Sequence, residues 1–292
     1  MIKRSKVIKI LGVKGKILVL FFALFYSRVS FSQQLEFGLQ FGTTNYSGEL
    51  SSYKIKSQYF RPAGGAIIRY NLSPRFTLKG SVFFGQIAGA DSTSASKKDQ
   101  ARNLSFKSNI FEFSGQVEFN IVPYDVMNKK GKFKRIIPCV FTGLAVYKYN
   151  PLAQYKGTWW ELQTLGTEGQ GTTQFQSRKK YSLTQISIPL GIGLKIDFSK
   201  RLNIGFEAGA RITFNDYIDD VSRSYIDTQY LRAAYGPVSA ALSDRSGEKN
   251  DGLNLGAPGK SRGNSANMDW YYYAGFSITY KLQNKGMKCP RF

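Results

Sequence analysis

An all-β fold, an eight-stranded antiparallel transmembrane β-barrel with short periplasmic turns and long extracellular loops, is predicted by three features of this 292-residue chain. Apolar residues recur with a period of two over long segments, a secretory leader opens the chain, and short connections alternate with long ones. The period is clearest in Ile-Ser-Ile-Pro-Leu-Gly-Ile-Gly-Leu-Lys-Ile-Asp-Phe, Ile186 to Phe198. Every even position is large and apolar, and every odd one is small, proline or charged. Successive side chains of a strand point to opposite faces. The run is longer than the five or six residues common in soluble sheets. It suits a bilayer-spanning strand of about 9–11 residues, apolar toward lipid and polar toward the lumen.

Seven more segments complete the set. Leu35–Gly42 sets Leu35, Phe37, Leu39 and Phe41 outward against Glu36, Gly38, Gln40 and Gly42. Pro62–Asn71 alternates poorly. From Phe76, the residues Phe76, Leu78, Val82 and Phe84 oppose Thr77, Lys79 and Ser81. In Ser105–Ile121, the residues Phe111, Phe113, Val117, Phe119 and Ile121 oppose Glu112, Ser114, Gln116, Glu118 and Asn120. Ile137–Tyr149 is a strand of ambiguous facing. Leu202 to Asn215 sets Ile204, Phe206, Ile212 and Phe214 against Asn203, Glu207, Arg211 and Thr213. Trp270 to Leu282 sets Trp270, Tyr272, Phe276, Ile278 and Tyr280 against Tyr271, Tyr273, Ser277, Thr279 and Lys281, and its Tyr273–Tyr280 stretch resembles the terminal signal read during barrel assembly.

The connections fix the architecture. Leu72 to Arg75 and Ser199 to Arg201 are short and 122–136 is moderate, whereas 43–61, 88–104, 150–181 and 216–268 are long. Three short and four long connections place both termini in the periplasm, with the long loops outside the cell. A soluble sandwich or lipocalin would keep its apolar face inside. Lys3, Arg4, Lys6, Lys9, Lys14 and Lys16 precede the apolar run Ile17–Tyr26 and the small residues Ser30 and Ser32. This pattern predicts a signal peptide over 1–32, with the mature chain beginning at Gln33. The barrel is expected over 33–282 and a short basic periplasmic tail over 283–292, in the bacterial outer membrane.

The formal charge is +22, and the leader's seven bases leave +15. A secreted chain rarely meets nucleic acid, so acidic lipid headgroups or a periplasmic partner are the expected counterparts. Cys139 and Cys289 are the only cysteines, and whether they bridge is left open. Tyr70, Tyr124, Tyr147, Tyr149, Tyr217, Trp270 and Tyr280 fall near strand ends, where aromatic girdles sit.

Eight strands enclose a lumen just wide enough for side chains. Its expected charges are Glu36, Lys79, Glu112, Glu118, Lys195, Glu207, Arg211 and Lys281, with Arg69 a further candidate. Buried charges must be paired, so a salt-bridged, largely occluded lumen is expected. Glu112 and Glu118 lie about 20 Å apart along a strand, too far to act as a catalytic pair. The chain has no histidine, which excludes the serine–histidine chemistry of outer-membrane lipases and proteases. No catalytic, cofactor or metal residue is assigned. Leu165–Gly171 is glycine-rich but lacks a phosphate-loop lysine. Asp216, Asp219 and Asp220 match no calcium-loop spacing and read as a solvated acidic rim. Residues 236–267 read as a flexible or partly ordered loop.

The expected periplasmic face is basic. Lys129, Lys130, Lys132, Lys134, Arg135, Lys200 and Arg201 are its candidate partner-docking residues, with Arg75, Lys285, Lys288 and Arg291 nearby and Asp125 its main acid. Asn45–Leu50, Arg102–Asn109, Leu165–Gly171, Ile186–Gly193 and Asp216–Ser222 together resemble the recurring segments of PorG-type outer-membrane proteins of Bacteroidota. That resemblance implies an outer-membrane barrel associated with the type IX secretion and gliding machinery, alongside a periplasmic ring lipoprotein and its partner. It implies no catalytic residue. A non-enzymatic anchoring role follows, with a small structural or solute-conducting barrel as the alternative.

Overall fold

The computed structural model describes residues 35–51, 57–124 and 135–282. The leader, the tail, Asp125, Lys129, Lys130, Lys132, Lys134 and Cys289 lie outside the described residues. Within them the strands are β1 (Leu35–Ser47), β2 (Arg61–Asn71), β3 (Phe76–Ala90), β4 (Ser105–Asn120), β5 (Arg135–Tyr155), β6 (Thr158–Glu161), β7 (Thr184–Asp197), β8 (Leu202–Thr213) and β9 (Trp270–Lys281). All pairings are antiparallel. The circuit runs β4-β3-β2-β1-β9-β8-β7-β5 and closes through β4–β5. Strand β6 stands outside it, paired only with the far end of β5 from Leu152 to Tyr155. Eight strands therefore form a closed barrel.

Closure leaves no open sheet edge among the eight barrel strands, the condition for crossing lipid with strands. The outer surface carries the matching belt. Phe37, Leu39 and Phe41 on β1, Phe111 and Phe113 on β4, Ile186, Leu190 and Ile192 on β7, and Phe276 and Ile278 on β9 are all exposed. Their odd-and-even partners are buried and polar: Gln40, Glu112, Ser114, Ser187, Lys195 and Thr279. An apolar exterior around a polar interior inverts the soluble pattern and defines a membrane-spanning barrel. No described helix is long and apolar enough to cross a membrane.

The two weakly alternating segments have a shared cause. In β2 the inward set is Ala63, Ile67, Arg69 and Asn71 while Ile68 faces out. In β5 the inward set includes Ile137, Cys139, Phe141, Tyr147 and Tyr149 while Ile136, Val140, Leu144 and Val146 face out. Apolar residues stand on both faces of each strand, so the period of two fades from the sequence. Strand β5 also runs on to Tyr155, six residues beyond its expected end. Its pairing with β7 skips Pro189, which has no N–H to give. Cys139 is a buried free thiol.

The connections Leu72–Arg75 and Phe198–Arg201 are tight turns, in which Ser73 and Ser199 accept backbone hydrogen bonds from Phe76 (3.1 Å) and Leu202 (3.0 Å). The first residue of β1 and the last of β9 lie at this same short-turn end. The long connections at the other end are organised. They carry helices α1 (Lys97–Arg102), α2 (Leu162–Leu165), α3 (Thr228–Tyr235) and α4 (Pro237–Ser243). Asp227 caps α3 by accepting from the Gln229 N–H at 2.8 Å, and Pro237 opens α4 at a position that needs no N–H. Ile226, Leu231 and Ala240 bury one face of this pair. The stretch 236–267 thus holds a helix, a 3-10 turn (Ser246–Glu248) and a buried Leu242. Its glycines and serines sit at turns and backbone contacts, which is why composition alone suggested a loose loop.

Candidate functional site

The lumen is a closed ion-pair core. All nine expected lumenal charges are buried: Glu36, Arg69, Lys79, Glu112, Glu118, Lys195, Glu207, Arg211 and Lys281. Asp197, absent from the sequence reading, joins them and pairs with Lys281. Five described cations thus meet five carboxylates. Glu118 is the hub, contacted by Arg69 at 3.1 Å, Lys79 at 3.7 Å and Lys195 at 2.5 Å. Lys79 reaches on to Glu207 at 2.6 Å, and Arg211 pairs with Glu112 at 3.2 Å. Glu36 has no cation of its own. It accepts from Asn71 (3.0 Å), Tyr124 (2.9 Å) and Thr279 (2.9 Å), a carboxylate held by neutral donors.

Four of the seven girdle candidates are interior residues instead. Tyr124 folds back from the β4–β5 connection and plugs the short-turn end, its ring 5.7 Å from Lys195 Nζ and 5.4 Å from Lys281 Nζ. Tyr147 and Tyr149 lie inside the opposite end. Tyr149, Tyr181 and Tyr217 continue outward as a stack, with ring planes within 12° and centroids 6.2 and 4.8 Å apart. A tyrosine near a strand end reads alike in sequence whether it faces lipid or the lumen. Tyr70, Trp270 and Tyr280 do face outward.

At the short-turn rim, Arg75, Lys200 and Arg201 are exposed and Arg135 is half-exposed. Arg75 and Arg135 donate to the carbonyls of Ile121 and Pro123, both at 3.4 Å, which holds their guanidinium groups at the rim.

The long-loop end is sealed by a cap in which four of the five segments singled out in the sequence converge. Glu168, in Leu165–Gly171, is fully buried and is contacted by the Ser222 N–H (3.0 Å), the Arg223 N–H (3.0 Å), the Tyr217 hydroxyl (3.1 Å) and Arg262 Nη1 (3.1 Å). Arg262 also donates to the Ser243 carbonyl at 3.1 Å and the Asp220 carbonyl at 2.5 Å. Arg102 clamps Asp91 with two bonds of 2.8 and 2.7 Å and reaches the Glu49 carbonyl at 3.3 Å. Asp220 accepts from Thr167 (2.5 Å) and Tyr181 (2.8 Å), and burial lifts its pKa to about 6 against the pull of Arg262.

Asp216, Asp219 and Asp220 are therefore not a solvated rim. All three are buried. Asp216 and Asp219 meet Glu49 and Asp269. Oxygens of Glu49, Asp216 and Asp269 lie within 4.8 Å of one another. The Tyr46 hydroxyl is 2.6 Å from Asp219 and 2.8 Å from Asp269. Burial, then the neighbouring carboxylates, raises all four groups, Glu49 to about 8 and Asp216 to about 7, with the Ser222 hydroxyl opposing the rise at Asp216. Sequence reasoning missed Glu49 and Asp269 because they lie far from the Asp216–Asp220 run, and no fixed spacing links the three segments.

A closed antiparallel barrel with a lipid-facing belt and a salt-bridged lumen is the fold of a bacterial outer-membrane protein. The chain belongs to the family described as Domain of unknown function (DUF6089), which matches residues 15–240. Among solved structures it is similar to the N-terminal β-barrel domain of OprF from Pseudomonas aeruginosa, at 10% identity and a TM-score of 0.36, covering 86% of this chain and 98% of that one. It is similar to Ail, the attachment invasion locus protein of Yersinia pestis, at 9% identity and a TM-score of 0.38, covering 86% and 99%. A major outer-membrane protein from Thermus thermophilus gives 12%, a TM-score of 0.36, and 85% and 99%. No curated protein matches. The fold assignment rests on the closed strand circuit and the belt.

Proposed function

We propose that this outer-membrane barrel is a non-enzymatic anchoring component of the type IX secretion and gliding machinery, docking periplasmic ring proteins on its basic rim. The observation that carries the reading is that the lumen is filled: Lys79, Phe83, Lys195, Arg211, Tyr273 and Lys281 are among its largest fully buried side chains. A plugged, charge-balanced interior leaves the work to the two ends. The short-turn end, taken as periplasmic, presents Arg75, Arg135, Lys200 and Arg201, and the chain adds Lys129, Lys130, Lys132 and Lys134 to the same connection. Complementary charge of this kind steers docking onto an acidic partner. The resemblance of five ordered segments to PorG-type proteins supplies the candidate partners, a ring lipoprotein and its companion.

The test is gentle detergent extraction of the tagged protein from its own cells, with mass spectrometry of what co-purifies. A stoichiometric periplasmic lipoprotein and partner is the expected result, and glutamate at Lys129, Lys130, Arg135, Lys200 and Arg201 is expected to release both while membrane insertion persists. A clean monomer from native membranes would remove the anchoring role. The solute-conducting alternative makes the opposite prediction in planar bilayers. The packed lumen is expected to give no steady conductance above the bare membrane, and a sustained open level would revive the alternative.

A further inference from the structure

The geometry points to a divalent-cation site, fitted to calcium, in the loop cap, formed by Glu49, Asp216 and Asp269 with Asp219 beside them. Asp216 is 6% exposed, and neither of its carboxylate oxygens has a donor in hydrogen-bonding geometry, the nearby Ser222 hydroxyl only easing its charge. Glu49 Oε2 is buried and likewise without a donor. The other oxygens are committed to the fold. Glu49 Oε1 accepts from the Asn264 N–H at 3.3 Å, and Asp269 Oδ2 accepts from the Ile218 N–H at 2.9 Å. Asp269 Oδ1 takes the Tyr46 hydroxyl at 2.8 Å, so Glu49 Oε2 and the two Asp216 oxygens are the uncommitted ones. One oxygen from each of the three lies within 4.8 Å of the others, close enough for a single ion with Ca–O bonds of about 2.4 Å to reach all three.

Charge separates this cluster from most buried acidic groups nearby. The lumenal carboxylates face five cations, Asp91 has Arg102, and Glu168 and Asp220 share Arg262. No described lysine or arginine forms an ion pair with Glu49, Asp216, Asp219 or Asp269. The Tyr46 hydroxyl has one hydrogen for two carboxylates, so it cannot neutralise both contacts. Buried like charges need protons, a counter-charge or a metal, and a metal is the one of these that also gives the unpartnered Asp216 and Glu49 oxygens a partner. An all-oxygen, multiply anionic, irregular donor set suits calcium, which accepts six to eight oxygens in flexible geometry, better than magnesium with its strict octahedron.

The site is also placed to hold the loops. A cavity of about 320 Å³ in the cap has Glu49 in its wall, beside Arg102, Tyr225, Arg262 and Asn264. Gly48 packs so closely on Asp269 and Tyr46 that a β-carbon there would meet both, which brings Glu49 against the cluster. An ion would cross-link the β1–β2 connection to both ends of the β8–β9 connection.

The test uses the full-length barrel refolded in detergent, stripped with chelator and titrated at pH 8 with calcium, and separately with terbium as a luminescent surrogate excited through tyrosine. About one ion per chain is expected, with calcium displacing terbium and magnesium competing more weakly. Asp216→Asn keeps size and shape, and is expected to weaken binding at least about tenfold, the lower bound seen when even the supports of metal ligands are changed. Its barrel fold is checked independently by the heat-dependent gel shift. No uptake by the folded wild-type protein up to about 10 mM calcium, ten times the weakest range of extracellular calcium modules, would overturn the site. So would unchanged binding by folded Asp216→Asn, and equal binding of magnesium would overturn the assignment to calcium.

Discussion

Glu118→Ala is expected to cost the barrel about 3–5 kcal/mol, the penalty for removing one partner of a buried ion pair and leaving the other uncompensated. Three cations lean on this one carboxylate, and they are not equally insured. Lys79 keeps Glu207 at 2.6 Å, and Lys195 keeps the Asn120 side-chain oxygen at 3.0 Å. Arg69 has no second ion pair among the described residues. The loss should therefore appear chiefly as a stranded Arg69. Urea unfolding in lipid vesicles, followed by tryptophan fluorescence and gel mobility, reads the effect.

The same logic sets a sharper test. Arg69→Ala in the Glu118→Ala background returns the lumen to equal numbers of positive and negative charges. The double variant is expected to be more stable than the sum of the single losses predicts, by an interaction energy of about 1–3 kcal/mol. Strict additivity would mean that the lumen is wet enough to screen these charges, and the closed-core description would fail.

How far the sequence revealed this arrangement depends on which face of each strand carries the information. In β7 the outward face is Ile186, Leu190, Ile192 and Leu194 and the inward face is small or charged, so the period of two is plain. In β5 the inward face includes Phe141, Tyr147 and Tyr149, and the contrast between faces vanishes. The lumenal charges were legible because a charged residue inside an alternating strand has only one place to go. Their pairing was not, because Arg69, Lys79, Glu118 and Lys195 come from four different strands, and register decides who meets whom. The cap was less legible still. Asp216, Asp219 and Asp220 stood out as a run, but burial was invisible, since the elements covering them begin near Glu49, Glu168 and Arg262.

The cap has its own hub, and Glu168→Ala is expected to loosen it without unfolding the barrel. Glu168 joins the β5–β7 connection to the β8–β9 connection through two backbone N–H groups, one phenol and the buried guanidinium of Arg262. Hydrogen bonds to a charged group are worth about 1.5–3 kcal/mol each. Losing the set, and leaving Arg262 with Asp220 at 3.8 Å as its remaining ion pair, should lower the free energy of local opening by about 3 kcal/mol or more. Proteolysis of a transiently opened segment tracks its open population, so cleavage within 216–268 should quicken by about two orders of magnitude at 1.4 kcal/mol per tenfold. The heat-dependent gel shift of the barrel should stay where it is, because no lumenal pair is touched. Glu168→Gln keeps an acceptor oxygen and loses the charge, and should fall between the two. Wild-type cleavage rates in Glu168→Ala would show that the aromatic stack of Tyr149, Tyr181 and Tyr217, rather than the Glu168–Arg262 pair, holds the cap on the barrel.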